Sequence, residues 1–153
     1  MWQKKGVIFS TDQNQPWMVS HACVPTVHIL DDDTFRIFFA PRNAQGQSIP
    51  TFLDVEASNP SVIKYIHHSP VMELGKLGTF DDGGIMPCCV VRQDKYLYLY
   101  YVGWNPSVSV PYRNAIGLAF SDNDGYSFKR VYEGALVDRN RHEPFFTASP
   151  WVM

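Results

Sequence analysis

The sequence is short of several things that would otherwise settle its class. Cysteine is the first: 153 residues hold three, Cys23 and the adjacent Cys88-Cys89. Three thiols make no disulfide framework, and a vicinal pair bridges only with strain. No CxxC spacing is present for a structural zinc. No metal and no cofactor is therefore expected, and the thiols read as small reduced core groups. Charge is also sparse, at 18%, with 13 Lys and Arg against 15 Asp and Glu and a net charge of −2. With no basic surplus to grip a phosphate backbone, the chain is not expected to have nucleic acid as its main partner. No apolar run approaches the roughly 18–20 residues of a membrane span. The N-terminal stretch Val7-Ile8-Phe9 is too short for a secretory signal. The expectations are no membrane span and a cytoplasmic location. Helical periodicity is missing too, since no stretch repeats its apolar residues at 3.6-residue spacing over three turns.

What the chain does have is 45% hydrophobic residues, enough for a core and too many for wholesale disorder. Ten Phe, eight Tyr and four Trp, with eleven Pro and ten Gly, favour strands and turns over helices.

The strands come in a repeated order. Thr26-Val27-His28-Ile29-Leu30, a turn at Asp31-Asp32-Asp33 and Phe35–Ala40 follow Val24-Pro25. Cys88-Cys89-Val90-Val91-Arg92, a turn at Gln93-Asp94-Lys95 and Tyr96–Tyr101 follow Met86-Pro87. A third start stands at Ser149-Pro150, and the three prolines lie 62 and 63 residues apart. Behind each hairpin come two more strands: 51–58 and 62–66 in the first unit, 114–121 and 126–132 in the second. A repeat of about 60 residues with four antiparallel strands reads as a β-propeller blade, with a sandwich as the competing fold.

The expected architecture is thus all-β and a single partial propeller domain over 1–153. Residues 1–23 form a leading closing strand, at Gly6–Phe9, and a loop. Blade one covers 24–85, blade two 86–148, and 149–153 begin blade three. Strand A is expected near 26–30 and 88–92, and strand B near 35–41 and 96–102. Two blades do not close a ring of about four to eight. The expectation is a piece of a longer protein whose exposed blade edges promote self-association.

In such a meander the residues before each first strand share one end with the loops between second and third strands. That end collects His21, Asp81-Asp82 and Glu143, together with Arg42, Trp104-Asn105 and Arg113-Asn114. Carboxylates handle protons and hydroxyls, Arg and Asn hydrogen-bond hydroxyls, and a flat ring stacks on a sugar's C–H face. A carboxyl pair across a pocket is also the minimum needed to cleave a glycosidic bond. A carbohydrate ligand is therefore the expected partner.

These residues carry a resemblance. The chain resembles the five-bladed propeller glycosidases, the arabinanase, xylosidase and invertase-like families 43, 32, 68 and 130. The strings Ser20-His21-Ala22…Pro25, Gly78–Pro87 and Tyr100-Tyr101-Val102-Gly103-Trp104-Asn105 are more closely similar to glycosidase-like proteins found with bacterial polysaccharide biosynthesis genes. The resemblance implies a carbohydrate-active protein with Asp82, or its neighbour Asp81, as the blade-two acid and Glu143 as the blade-three acid. His21 stands where the enzymes have an aspartate. Asp81, Arg42, Trp104, Asn105 and Arg113 would contact substrate. A propeller that binds sugar without cleaving it, or serves only as a scaffold, is the alternative, because His21 is a poor substitute for a carboxylate nucleophile.

A second similarity lies in Ser121–Phe128, which resembles the Asp-box of sialidase-type propellers. It falls at the opposite end from the proposed site, and its expected role is to build a turn. Tyr96–Tyr101 reads as packing, Asp31–Asp33 as a solvated hairpin turn, and His67-His68 lacks any metal-ligand spacing.

Overall fold

The computed structural model describes residues 4–11 and 15–153. Eight strands occur among them and no helix: β1 (Ser20–Asp31), β2 (Thr34–Arg42), β3 (Thr51–Glu56), β4 (Ile63–Ile66), β5 (Gly84–Gln93), β6 (Tyr96–Pro106), β7 (Tyr112–Ser121) and β8 (Lys129–Arg130). They form two antiparallel sheets of four, ordered β1-β2-β3-β4 and β5-β6-β7-β8. Neither sheet is closed on itself, and neither takes a strand from the other.

Alternation explains which face goes inward. In β6 Leu97, Leu99 and Tyr101 are buried while the residues between them are half-exposed. Directly opposite in β7 stand the small residues Ser121, Ala119 and Gly117. Large side chains thus sit over small ones: a Cβ on Gly117 would lie 2.2 Å from Tyr101 Cζ. Phe38 and Phe52 of the first sheet meet this face, and Val71, Met72, Ile85 and Phe128 complete one core between the sheets. Full burial of each such side chain contributes about 1.5–3 kcal/mol. β1 runs beside β5, where the Thr26 hydroxyl donates to the Pro87 carbonyl at 3.1 Å.

A buried ion pair ties the sheets at the other edge of the core. Arg36, 1% exposed, donates to both carboxylate oxygens of Asp54 at 2.8 Å. Its remaining amino group reaches the Asp124 carbonyl, and its guanidinium lies 3.9 Å over Phe52 and 4.6 Å over Tyr126. Asp124 and Tyr126 belong to the turn that resembles an Asp-box. Asn123 stands at that motif's aspartate position, and its Oδ1 accepts from the Ser127 amide and the Ser121 hydroxyl. Gly125, at φ 84°, has a conformation that suits glycine. The motif closes a turn and presents it to the neighbouring sheet. Burial alone would lower the Arg36 pKa; the Asp54 carboxylate more than offsets this and raises it.

Several sequence expectations are corrected here. Strands β1 and β5 begin six and four residues earlier than 26 and 88. Pro25 and Pro87 lie within the strands, at register breaks between Cys23 and Thr26 and between Pro87 and Cys89. A bulge tolerates a residue that cannot donate to the ladder. The strand expected over 126–132 contracts to Lys129–Arg130, because the Asn123–Ser127 turn consumes its start. Gly6–Phe9 forms no strand. It lies across the outer face of the first sheet, with Phe9 5.3 Å from Phe39, and borders an apolar groove of about 360 Å³. The segment 149–153 is not a strand either, although the Val152 amide donates to Cys89 Sγ at 3.5 Å. All three cysteines are free, and burial pushes the Cys88 thiol above its usual pKa. Asp31–Asp33 makes the expected exposed turn, closed by an Asp33 amide to Asp31 Oδ1 bond of 2.9 Å. No helix among the described residues is long and apolar enough to cross a membrane.

Two histidines make stability depend on pH. Burial, then Arg92 and Arg36, hold His28 below its ordinary value of 6.5. Burial, then Arg36 and His68, do the same for His67, which stacks on Phe52 at 4.6 Å. The unfolded chain therefore takes up these protons first as pH falls. Stability should be full above the unfolded value near 6.5 and decline as pH drops below it toward the lowered native values. Urea midpoints taken across this window should fall on the acid side, and the double variant His28→Gln, His67→Gln should flatten the slope. An unchanged slope would contradict the assignment.

Candidate functional site

The ladder registers place the sequence-derived candidates. Ser20, beside His21, pairs with Arg42 at the start of β1 and end of β2. Gly84 pairs with Trp104, and Trp104 with Asn114, at the start of β5, the end of β6 and the start of β7. Ser48 bridges to both Arg42 and Gly84, joining the sheets at this end. His21, Arg42, Asp82, Trp104, Asn105 and Arg113 thus belong to the same end of the two sheets.

Three adjoining cavities open there. One of about 380 Å³ is lined by Arg42, Met86, Trp104, Tyr112 and Asn114. A second, about 300 Å³, shares Trp104 and adds Gln47, Asp82 and Gly83. A third, about 200 Å³, shares Asn114 and adds Asn105, Arg113, Asp138 and Arg139. The apolar groove of Gly6–Phe9 lies on the outer sheet face and lacks a charged side chain among its lining residues.

Trp104 is fixed in place. Its Nε1–H donates to Ser48 Oγ at 3.3 Å. A Cβ on Gly84 would come within 2.2 Å of that nitrogen, and one on Gly83 within 2.8 Å of the ring. The pair Gly83-Gly84 follows from this close approach: neither glycine has a positive φ, but each must lack a Cβ for the indole to lie on the backbone. The ring is half-buried and walls two cavities.

Four buried side-chain polar atoms lack a hydrogen-bond partner among the described residues, and three belong to this end: Arg42 Nε, Asp82 Oδ1 and Asn114 Oδ1. Buried polar groups are nearly always paired, and an unpaired one costs about 1–3 kcal/mol. Their placement at one end, in adjoining cavities that share Trp104, marks a place where polar partners belong. Asp82 Oδ2 accepts from the Gly78 amide at 2.7 Å, and its carbonyl accepts from Gln47 at 3.2 Å, so backbone and side chain are both positioned.

The other candidates divide. Asp81 is 0% exposed and faces inward, opposite to the substrate contact expected of it. Its Oδ2 accepts from Tyr101 at 3.0 Å and from Arg130 at 2.8–2.9 Å, and its Oδ1 from Thr79 at 3.1 Å. Burial first, and then the Asp81 charge, push the Tyr101 phenol far above its usual pKa, so it remains a donor. Asp81→Ala is expected to lower unfolding free energy by about 3–5 kcal/mol, because it strands a half-buried guanidinium and a buried phenol. Equilibrium denaturation measures this, and a loss under about 1 kcal/mol would refute the anchoring role. Glu143 is exposed, bonded to Asn140 Nδ2 at 3.2 Å, and lines none of the three cavities. His21 is exposed at φ 63°, with Nδ1 2.8 Å from Ser20 Oγ. Asn105 and Arg113 are half-buried and line the smallest cavity.

The site includes residues that sequence reasoning passed over, chiefly Tyr112, Met86 and Arg139. Asn114, already placed at this end by the sequence, lies opposite Trp104 in the β6–β7 register. No metal-binding cluster of three His, Cys, Asp or Glu occurs among the described residues.

With the geometry in hand, comparisons place the fold. No protein-family model matches the chain. Two relatives from Mycobacterium tuberculosis, Uncharacterized protein MT1551 (strain CDC 1551 / Oshkosh) and Uncharacterized protein Rv1502 (strain ATCC 25618 / H37Rv), are each 35% identical over 152 residues. The match takes in 99% of this chain and 50% of theirs, so the chain spans about half the length of these relatives. Among solved structures it is similar to a glycosyl hydrolase from Bacteroides ovatus, with a TM-score of 0.61 and 14% identity, over 80% of this chain and 37% of that one. It is also similar to Zg3597, a family 117 glycoside hydrolase of Zobellia galactanivorans, with a TM-score of 0.58 and 14% identity, over 84% of this chain and 37% of that one. The fold is glycosidase-like, matching just over a third of each of these two hydrolases. At that identity the likeness concerns the fold alone.

Proposed function

We propose that this chain is part of a propeller-fold, carbohydrate-active protein and that a sugar binds in the cleft between Arg42, Trp104 and Asn114. The observation that carries the reading is the set of three buried, unpaired polar atoms, Arg42 Nε, Asp82 Oδ1 and Asn114 Oδ1, on residues lining the two cavities that share the seated Trp104 indole. A sugar ring offers what this arrangement lacks. Its hydroxyls both donate and accept, and its C–H face suits the indole. The glycosidase-like fold supports the reading by analogy, and so does the open outer face of the first sheet, where Val27 and Ile29 are 57% and 67% exposed. In the proposal that face meets further blades of a five-bladed ring, of the kind in families 43, 32, 68 and 130, or else a partner through self-association.

Within this reading Asp82 is the candidate acid or base, because it is the carboxylate that lines the cavity beside Trp104. Arg42, Trp104, Asn105 and Arg113 hold the sugar. Asp81 is reassigned as the anchor of the loop that carries Asp82. Glu143 and His21 remain proposed partners in catalysis. A second reading, sugar binding without cleavage, is favoured by one observation: Glu143 bonds to Asn140, and among the described residues no second carboxylate lines the cavity with Asp82. Hydrolysis needs a carboxyl pair within about 5–10 Å.

One experiment separates the readings. Glycan binding and turnover are measured with wild type and Asp82→Asn. If the site is catalytic, Asp82→Asn should abolish turnover and leave binding nearly intact. If it only binds, no turnover is seen with either protein while binding persists. If Asp82→Asn and His21→Ala change neither binding nor turnover, the site is misassigned.

A further inference from the structure

Six of the seven arginines of this chain fall into two sets; the seventh, Arg141, is exposed and donates to its neighbour His142. Arg36, Arg92 and Arg130 each hold a carboxylate, those of Asp54, Asp124 and Asp81. Arg42, Arg113 and Arg139 have no carboxylate partner among the described residues, and all three line the adjoining cavities at the proposed sugar site. This segregation occurs in a chain of net charge −2, where carboxylates outnumber cationic side chains. Unpaired cationic groups gathered in one concave place make a positive potential that favours an anion.

The smallest cavity narrows the choice. Arg113 and Arg139 line it with Asp138, whose Oδ1 accepts from the Arg139 amide. Two guanidiniums and one carboxylate leave a single positive charge, which suits a monoanion better than a doubly charged phosphate. At about 200 Å³ it has room for a substituent and part of a ring. Asn105 and Asn114 add neutral amides that can bond hydroxyls beside it. Asn114 is shared with the Trp104 cleft, so a ring seated against the indole would direct one substituent toward Arg113 and Arg139. Guanidinium groups form charge-assisted hydrogen bonds with a carboxylate, often in a bidentate geometry.

We infer that the ligand is an acidic sugar, its carboxylate held between Arg113 and Arg139 and its ring against Trp104. The inference rests on the proposed sugar site and specifies the substrate class.

The test is calorimetric titration of the protein with matched oligosaccharides: a neutral hexose series, the corresponding hexuronic acids and the hexose 6-phosphates. The uronates should bind at least about tenfold tighter than the neutral series, the difference expected of one charge-assisted contact. Arg113→Ala and Arg139→Ala should each remove most of that preference, and Arg139→Ala should do so while leaving neutral-sugar affinity unchanged. Neither side chain makes a hydrogen bond within the described protein, so both variants should unfold at the wild-type urea midpoint. Uronate affinity should also fall with added salt. If neutral and acidic sugars bind equally and Arg139→Ala alters neither, the acidic-sugar inference fails while the sugar site stands. If the 6-phosphates bind tightest, the anion is a phosphate and the carboxylate assignment is overturned. If no series binds, the sugar site itself is refuted.

Discussion

Asp54→Ala is expected to lower the free energy of unfolding by about 3–5 kcal/mol, a large part of the roughly 5–15 kcal/mol that holds a typical domain together. Asp54 is the carboxylate for Arg36, a guanidinium only 1% exposed and positioned in the seam between the sheets. Removing it leaves that charge out of water with only the Asp124 carbonyl and two aromatic faces for company. The double variant Arg36→Met, Asp54→Leu should lose less than Asp54→Ala, since it removes both charges and keeps apolar volume in the seam. Denaturation by urea, followed by circular dichroism, reads both. A single variant that costs less than about 1 kcal/mol would mean the seam is hydrated and the sheets are held by apolar packing alone.

The second large effect concerns the cleft. Trp104→Ala should weaken glycan binding by about ten- to a hundredfold, the range expected when a central aromatic anchor is truncated. Gly84→Ala should do similar damage by a different route. Its new Cβ would lie 2.2 Å from Trp104 Nε1 and 2.8 Å from the Ser48 amide nitrogen, so the indole must leave its seat. Binding that survives Gly84→Ala but not Trp104→Ala would show that the ring contributes area without a fixed orientation. Survival in both would remove Trp104 from the site.

Much of the fold was legible in the sequence because strand patterns are local. The alternation in Tyr96–Tyr101 and the Asp31–Asp33 turn mark a strand and a hairpin whatever lies around them. The strand starts were not legible, because the prolines at 25 and 87 read as barriers and a bulge is a property of the pair of strands. A strand exists only with a partner, and in this structure Gly6–Phe9 packs on a sheet face without one.

For the site, the end of the molecule was readable from topology, but side-chain direction was not. Asp81 and Asp82 are neighbours in a loop, and nothing in their own identity tells which one turns inward. The decision rests with Arg130 and Tyr101, 49 and 20 residues away, which give Asp81 its buried partners. The glycines after them were read as turn residues when their role is to admit the indole. Glu143, placed by repeat spacing and by the resemblance, lies on a segment held by Asn140 and lines none of the three cavities.

The account stands on the claim that the Arg42–Trp104–Asn114 cleft is where a sugar binds. Amide and indole chemical-shift mapping in ¹⁵N-labelled protein tests it most directly, with a hexose or hexuronic acid oligosaccharide as the titrant. The account predicts saturable shifts concentrated on the Trp104 indole N–H, the Asn114 and Asn105 side-chain amides and the backbone of Asp82–Gly84, with the Asp31–Asp33 turn unmoved. Shifts centred on the apolar groove along Gly6–Phe9, or no saturable shift at Trp104 with any sugar, would contradict it.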